Sequence, residues 1–303
     1  MPSWNGKTRL HWSTNAHRGS TVKITTANRQ RFLGGLAVAL LGWSPAAFAA
    51  DPIPDGDRSE VWQKVRASYF EGRTITNDTD GKVVALKAPT RAEDAATVPV
   101  QIKTGLSQSK DRYIQKLYLF IDANPSPVAA IFSFTPESGR ADIDTRVRIE
   151  AYTHMRAVAE MNDGKLYMAT HYIKAAGGCS AANGTLPDYA NFQPKLKFKL
   201  DPNVEKGQPT LAQLMINHPN ASPLVKDQVT HLYQPAYYVR TINVSYAGKQ
   251  IMTADVDFSI SENPNFRFYF TPNGDGELRA EVIDTKDVKV ESFIKVTPTS
   301  GKS

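Results

Sequence analysis

The residue best equipped for covalent chemistry is Cys179, the single cysteine among 303 residues. It stands in the segment Lys174-Ala175-Ala176-Gly177-Gly178-Cys179-Ser180-Ala181-Ala182-Asn183-Gly184. Without a second thiol it cannot close an internal disulfide. The chemistry open to it is reversible bonding to a sulfur-containing or other small electrophilic group, or a disulfide between two molecules. Gly177 and Gly178 lack a Cβ, which frees the backbone and lets another chain approach closely, while Ser180, Ala181 and Ala182 add little bulk. The pattern predicts a flexible arm with an exposed, readily alkylated thiol. An ordinary cysteine, with a pKa of about 8.5, is only slightly ionised at neutral pH. Lys174 is the sole basic residue close by, so activation inside a partner's site is the alternative to a lowered pKa.

An exported chain is the setting in which such an unpaired thiol would work. Arg29 and Arg31 precede the apolar run from Phe32 to Trp43, which leads into Ala47-Phe48-Ala49-Ala50-Asp51. A basic stretch, a short hydrophobic stretch and a small-x-small cleavage site follow the order of a secretory signal. The apolar run is shorter than the roughly 20 residues that span a bilayer, so no membrane span is expected after cleavage. Arg29-Gln30-Arg31-Phe32-Leu33 also resembles a degraded twin-arginine motif, which leaves the export route open. Residues 1–28 exceed what such a signal requires.

Charge has to be read after removal of this segment. Lys7, Arg9, Arg18, Lys23, Arg29 and Arg31 have no acidic counterpart before residue 50. Of the 36 basic residues in the chain, 30 therefore remain against 30 acidic ones. A net charge near zero argues against nucleic acid or an anionic membrane as partner, since both require net positive surface.

The elements that must carry the arm are strands. Asp57 to Gly72 has helical spacing at Val61, Trp62, Val65 and Tyr69 and predicts a short amphipathic helix. Beyond it, apolar residues alternate: Val98, Val100 and Ile102, then Leu117, Leu119 and Ile121 before Asn124-Pro125-Ser126-Pro127. A third run sets Val147, Ile149, Ala151 and Met155 on one face and Arg146, Arg148, Glu150 and His154 on the other. Ala157 to Ala169, with Asp163-Gly164 at its centre, predicts a hairpin closed by a tight primed turn. Its second strand continues through His171, Tyr172 and Ile173 straight into Gly177-Gly178-Cys179. After a small, polar stretch, alternation resumes at Lys195–Leu200 and continues at Leu211–Ile216, Tyr238–Tyr246, Gln250–Phe258, Phe266–Phe270, Leu278–Ile283 and Val288–Ile294. Ala247-Gly248 and Asn273-Gly274-Asp275-Gly276 are assigned as hairpin turns between some of these strands.

Other candidate chemistry is thin. His154, His171, His218 and His231 show no metal-ligand spacing, so no metal and no cofactor are expected. His154 and His171 lie on strands flanking one hairpin, where they could approach each other or the arm, although ordinary surface histidines are the favoured reading. Asn273-Gly274-Asp275-Gly276-Glu277 lacks the length and ligand pattern of a calcium loop. A nucleophile elbow, a phosphate loop and a dinucleotide fingerprint are all missing. The residues predict a non-enzyme.

Residues 96–179 resemble SoxY, the sulfur-carrying subunit of the periplasmic thiosulfate-oxidising system. The resemblance lies in Leu119-Phe120 before Asn124-Pro125-Ser126-Pro127-Val128, in Phe132-Ser133-Phe134-Thr135-Pro136 and in Ala157-Val158-Ala159-Glu160-Met161. Residues 194–296 resemble its partner SoxZ at Asn217-His218-Pro219, Lys226-Asp227, Pro235-Ala236-Tyr237-Tyr238 and Ser261-Glu262-Asn263-Pro264. The two in one chain match the SoxYZ-like carriers associated with quinoprotein dehydrogenases. The resemblance implies an all-β fold of two immunoglobulin-like β-sandwich domains joined by a flexible cysteine-bearing arm. The expected divisions are a signal region at 1–50, a SoxY-like sandwich at 51–173, the Gly-Gly-Cys arm and linker at 174–193, and a SoxZ-like sandwich at 194–297. It also implies a periplasmic carrier that holds thiosulfate-type sulfur intermediates on Cys179 and presents them to sulfur-oxidising or redox enzymes, a quinoprotein dehydrogenase or cytochrome c among them. The alternative is a noncovalent accessory protein of a quinoprotein dehydrogenase system. The family's arm ends the SoxY chain as Gly-Gly-Cys-Gly-Gly, whereas Ser180-Ala181 and a further domain follow Cys179 here.

Overall fold

Runs that alternate apolar and polar residues bury one face only, and two sheets that share those faces close a sandwich. The computed structural model describes residues 56–181, 189 and 191–300. The expected signal region lies outside them. The chain opens with a 3-10 turn at Gly56–Arg58 and helix α1, Glu60–Phe70. Ser59 caps α1 by accepting the Trp62 N–H at 3.3 Å. The first half then gives β1 (Ile75–Asn77), β2 (Val84–Lys87), β3 (Val98–Thr104), β4 (Ile114–Ile121), β5 (Val128–Phe134), β6 (Ile143–Val147), β7 (Thr153–Met161) and β8 (Leu166–Ile173). The second half gives β9 (Lys195–Leu200), β10 (Thr210–Asn217), β11 (Val239–Tyr246), β12 (Lys249–Val256), β13 (Asn265–Phe270), β14 (Gly276–Asp284) and β15 (Lys289–Val296).

The strands form two sheets, and both run through both halves. The larger has the order β1-β8-β7-β4-β5-β12-β11-β14-β15 and the smaller β2-β3-β6-β13-β10-β9. Each half is thus a sandwich, and the sandwiches meet edge to edge. In the larger sheet β5 pairs antiparallel with β12, from Ala130 opposite Val256 to Phe134 opposite Met252. In the smaller, β6 meets β13 where Asp144 faces Arg267. The all-β sandwich reading holds, but the covalent arm is not what joins the halves: backbone hydrogen bonding does. This satisfies two strand edges that would otherwise expose unpaired N–H and C=O groups. The described residues form one compact unit. Phe132 of β5 and Phe266 of β13, both fully buried, meet edge to face at 6.0 Å and tie the halves together across the core.

Local differences from the sequence reading have physical causes. The run from Val147 to Met155 is broken: β6 stops at Val147 and β7 starts at Thr153, and Arg148 turns inward instead of facing solvent. The Ala157–Ala169 hairpin is present, but its loop spans Asn162–Gly164 and only Gly164 takes positive φ, at 84°. That is a turn with a glycine bulge, not a two-residue primed turn. Ala247 and Gly248, at φ 47° and 78°, do make the tight β11–β12 turn. Asn273–Gly276 is no hairpin, because β13 and β14 lie in different sheets and the loop carries the chain between them. Helix α1 buries Trp62 and Phe70, not Val61 and Tyr69, against Tyr118, Phe120 and Val158 on the outside of the larger sheet. No helix among the described residues is long and apolar enough to cross a membrane.

Phe132→Ala is expected to destabilise the whole body by about 3–5 kcal/mol, the usual cost of emptying a fully buried aromatic site. Denaturant unfolding should stay a single transition, in which Trp62 fluorescence and the β-sheet circular dichroism signal shift together. Two separated transitions would mean that the seam does not couple the halves.

Candidate functional site

The segment that bears the thiol is folded onto the body where the two sandwiches meet. β8 ends at Ile173, and Lys174 makes a last bridge to Arg91. The chain then lies against the stretch between β6 and β7. Gly177 N–H donates to the Glu150 carbonyl at 2.8 Å and Gly178 N–H to the Ile149 carbonyl at 2.9 Å. Beyond the glycines the Glu150 side chain takes over. Its Oε2 accepts the N–H groups of Cys179 and Ser180 at 2.9 and 3.1 Å, and its Oε1 accepts the Ser180 hydroxyl at 2.7 Å. Three hydrogen bonds to one carboxylate fix the backbone on either side of the sulfur, and bonds to a charged acceptor are the strong kind.

This arrangement corrects the expectation of a flexible, exposed arm. Cys179 is 0 % exposed. The glycines serve fit here. A Cβ on Gly178 would fall 2.0 Å from the Ala95 carbonyl oxygen and 2.8 Å from the Ile149 nitrogen, so only glycine lets the segment lie so close. Gly177 takes φ +80°, which other residues adopt only with strain, although a Cβ there would meet open space.

Glu150 and its neighbours are held by groups that cross the seam. Asn124 accepts the Glu150 N–H at 2.9 Å and donates to the Arg148 carbonyl at 2.8 Å and to Ser259 Oγ at 3.0 Å. Arg148, buried, reaches into the second half with Nη1 donating to the Phe258 and Ile260 carbonyls at 2.8 and 2.6 Å. The thiol therefore sits among groups from both halves. Burial pushes its pKa up to about 12, the Glu150 and Asp257 charges add to the rise, and the Arg148 guanidinium opposes it. In this position Cys179 is a neutral, protected thiol. Glu150, Arg148 and Asn124 escaped the sequence reading as site residues, because Glu150 lies 29 residues from Cys179. The one visible hint was a polar face that included Arg148 and Glu150.

The histidines do not assemble with the thiol. Met155 stands opposite His171 in the β7–β8 register, so His154 projects to the other face; its ring lies 4.9 Å from Tyr172. His218 is fully buried against Tyr237 at 4.5 Å, with its pKa lowered to about 4 by burial while Asp284 resists the change. Among the described residues no group of histidine, cysteine and carboxylate side chains could hold a metal ion.

The family comparisons match the two halves separately. A model described as "Sulfur oxidation protein SoxY" matches residues 66–179, and one described as "Sulphur oxidation protein SoxZ" matches residues 198–294. Cys179 is the last residue of the first match. No curated protein matches the chain. Among solved structures with some likeness are two of low identity. A superoxide reductase (neelaredoxin) from Ignicoccus hospitalis is 16% identical over 33% of this chain and 94% of that one, with TM-score 0.29. A β-glycosidase from Bacteroides vulgatus is 13% identical over 71% of this chain and 24% of that one, with TM-score 0.22. Overlaps this weak carry no argument about the present site.

Two outcomes follow from the docked geometry. Glu150→Ala removes the triple acceptor and is expected to weaken docking by about 2–3 kcal/mol, raising the iodoacetamide reaction rate of Cys179 about 30- to 150-fold; an unchanged rate would show that the carboxylate does not hold the segment. Because the thiol pKa is raised from 9.0 to about 12, the unfolded chain loses its thiol proton first. The stabilisation from burying the neutral thiol is complete below pH 9.0 and is lost as pH climbs through that window. The denaturant midpoint should accordingly fall more steeply above pH 9.0 in the wild type than in Cys179→Ser, and parallel curves would contradict it.

Proposed function

Because this chain is a SoxYZ-like fusion, a SoxY unit followed by a SoxZ unit in one polypeptide, we propose that it is a periplasmic carrier that holds thiosulfate-type sulfur intermediates on Cys179. The family assignment makes it a sulfur-oxidation protein of the carrier type. The observation that carries the finer reading is the built socket: a lone thiol at the end of the SoxY unit, gripped through its backbone by Glu150 and seated between the two units. A merely structural cysteine needs no carboxylate on its own and the following N–H.

Loading has a defined balance. The thiol sulfur bonds to the outer sulfur of thiosulfate, the thiol proton leaves to solvent, and two electrons pass to a periplasmic electron acceptor such as a cytochrome c. A sulfur–sulfur bond forms through the thiolate, not the thiol. A thiol whose pKa is about 12 is poorly suited to that step while docked. Loading and processing therefore take place with the segment lifted off the body and placed in a partner enzyme. Docking protects the idle thiol from stray reaction. Undocking requires release of the Glu150 contacts and of the two glycine N–H bonds, while the sandwiches stay intact.

The second reading, a noncovalent accessory protein of a quinoprotein dehydrogenase system, draws support from the same burial, since an incidental cysteine can be buried as well. Intact mass separates the two. Protein isolated from its native host is expected to carry a sulfur adduct at Cys179 that reductant removes, and Cys179→Ser is expected to abolish thiosulfate-dependent respiration. A Cys179→Ser strain that respires as the wild type does would favour the accessory role.

A further inference from the structure

The outer face of the smaller sheet carries a charge pattern for which the sulfur chemistry has no use. Alternate residues of a strand share a face, so β9 lines up Lys195, Lys197 and Lys199, all exposed. Register places them beside Asn217, Met215 and Gln213 of β10, and those in turn beside Asn265 and Arg267 of β13. Across the seam the face continues through Asp144 and Arg146 of β6 and Gln101 of β3 to Lys87 of β2. Asp144 is occupied by Lys103 at 2.7 Å and by Arg267 at 4.0 Å. Lys87, Arg146, Lys195, Lys197 and Lys199 form no ion pair among the described residues.

The larger sheet shows what a self-neutralised face looks like in the same protein. On β14 and β15, Arg279 bridges Glu277 and Glu291 at 3.2 and 3.0 Å, and Lys289 bridges Glu281 and Glu291. Since acidic and basic residues after position 50 are equal in number, the basic excess on the smaller sheet is a local segregation of charge. Unpaired lysines at alternate positions of one strand repel one another, a cost that an acidic counter-surface removes.

We propose that this face docks an acidic protein surface, that of an enzyme acting on Cys179, an identification of the partner that rests on the carrier reading. The face is sheet-like, and a shallow depression of about 170 Å³ lies at the seam, bordered by Pro99, Gln101, Asp144, Arg146, Asn265 and Arg267. With Asp144 already engaged by Lys103 and Arg267, Arg146 is the group there that suits a carboxylate side chain reaching from the partner. From Arg146 the chain runs directly to Arg148 and Glu150, the latter holding the thiol-bearing segment. Charge complementarity of this kind steers encounter and sets orientation, and it weakens with salt.

The test uses poly-L-glutamate as an acidic polypeptide probe and Cys179→Ser protein, so that thiol chemistry is absent. Residue-resolved NMR titration is expected to place the shifts on β9, β10, β13 and β6. Lys195→Glu/Lys197→Glu/Lys199→Glu should lower affinity about tenfold or more, with the corresponding glutamine triple variant intermediate, while Lys289→Glu/Lys295→Glu stays within about twofold of wild type. Equal losses in both variants, shifts spread over both sheets, or no loss at all would overturn the proposal. Stronger retention by phosphatidylglycerol vesicles than by poly-L-glutamate would also overturn it, in favour of a membrane surface. Failure here leaves the carrier reading standing, and a missing adduct on Cys179 would leave this binding intact.

Discussion

Pairing of β5 with β12 is the constraint on which the rest depends. Two sandwiches joined only by a linker would move independently, and no fixed site could form between them. Hydrogen bonding across that edge, with Phe132 packed on Phe266 beneath it, makes one body of the two. Arg148 and Asn124 can then bridge to carbonyls and to Ser259 of the second half with bonds of 2.6–3.0 Å. Glu150 inherits its position from that network, and Cys179 from Glu150. A chain of ordinary hydrogen bonds thus runs from the seam to the sulfur.

The site has two opposing demands, and geometry meets them in turn. The idle thiol has to survive between encounters, which favours burial and a high pKa. It also has to react, which favours exposure and ionisation. The hydrogen bonds that hold the segment are concentrated in Gly177–Ser180, whereas β7 and β8 beside it are locked by a full antiparallel ladder. Local release breaks fewer hydrogen bonds than opening the sheet, as expected for a functional segment drawn from the less stable part of a fold.

Much of the fold was legible in the sequence because apolar alternation is a local signal. Leu117, Leu119 and Ile121, or Leu278 to Ile283, announce strands without reference to anything distant. What alternation cannot say is which sheet a strand joins. Asn273–Gly276 looks like a hairpin turn because turn chemistry is the same whether the chain returns to its neighbour or crosses to the opposite layer. Merging of the two halves was hidden for the same reason, since edge pairing between β5 and β12 leaves no mark on either strand. At the site, Cys179 was plain from its uniqueness and its glycines. Glu150 was not, because its role depends on a contact 29 residues away. Gly178 was recognised but misread: close approach and flexibility both call for glycine, and only the distance to Ala95 decides between them.

The central claim is that the thiol-bearing segment docks reversibly on a body that stays folded. Native-state hydrogen exchange tests it most directly. The account predicts that the amides of Gly177, Gly178, Cys179 and Ser180 are protected, yet exchange through a local opening well below the free energy of global unfolding, while those of Ala157 and Val158 exchange only by global unfolding. Protection of Cys179 equal to that of the sheet core would contradict it, because the sulfur would then be reachable only by unfolding the protein.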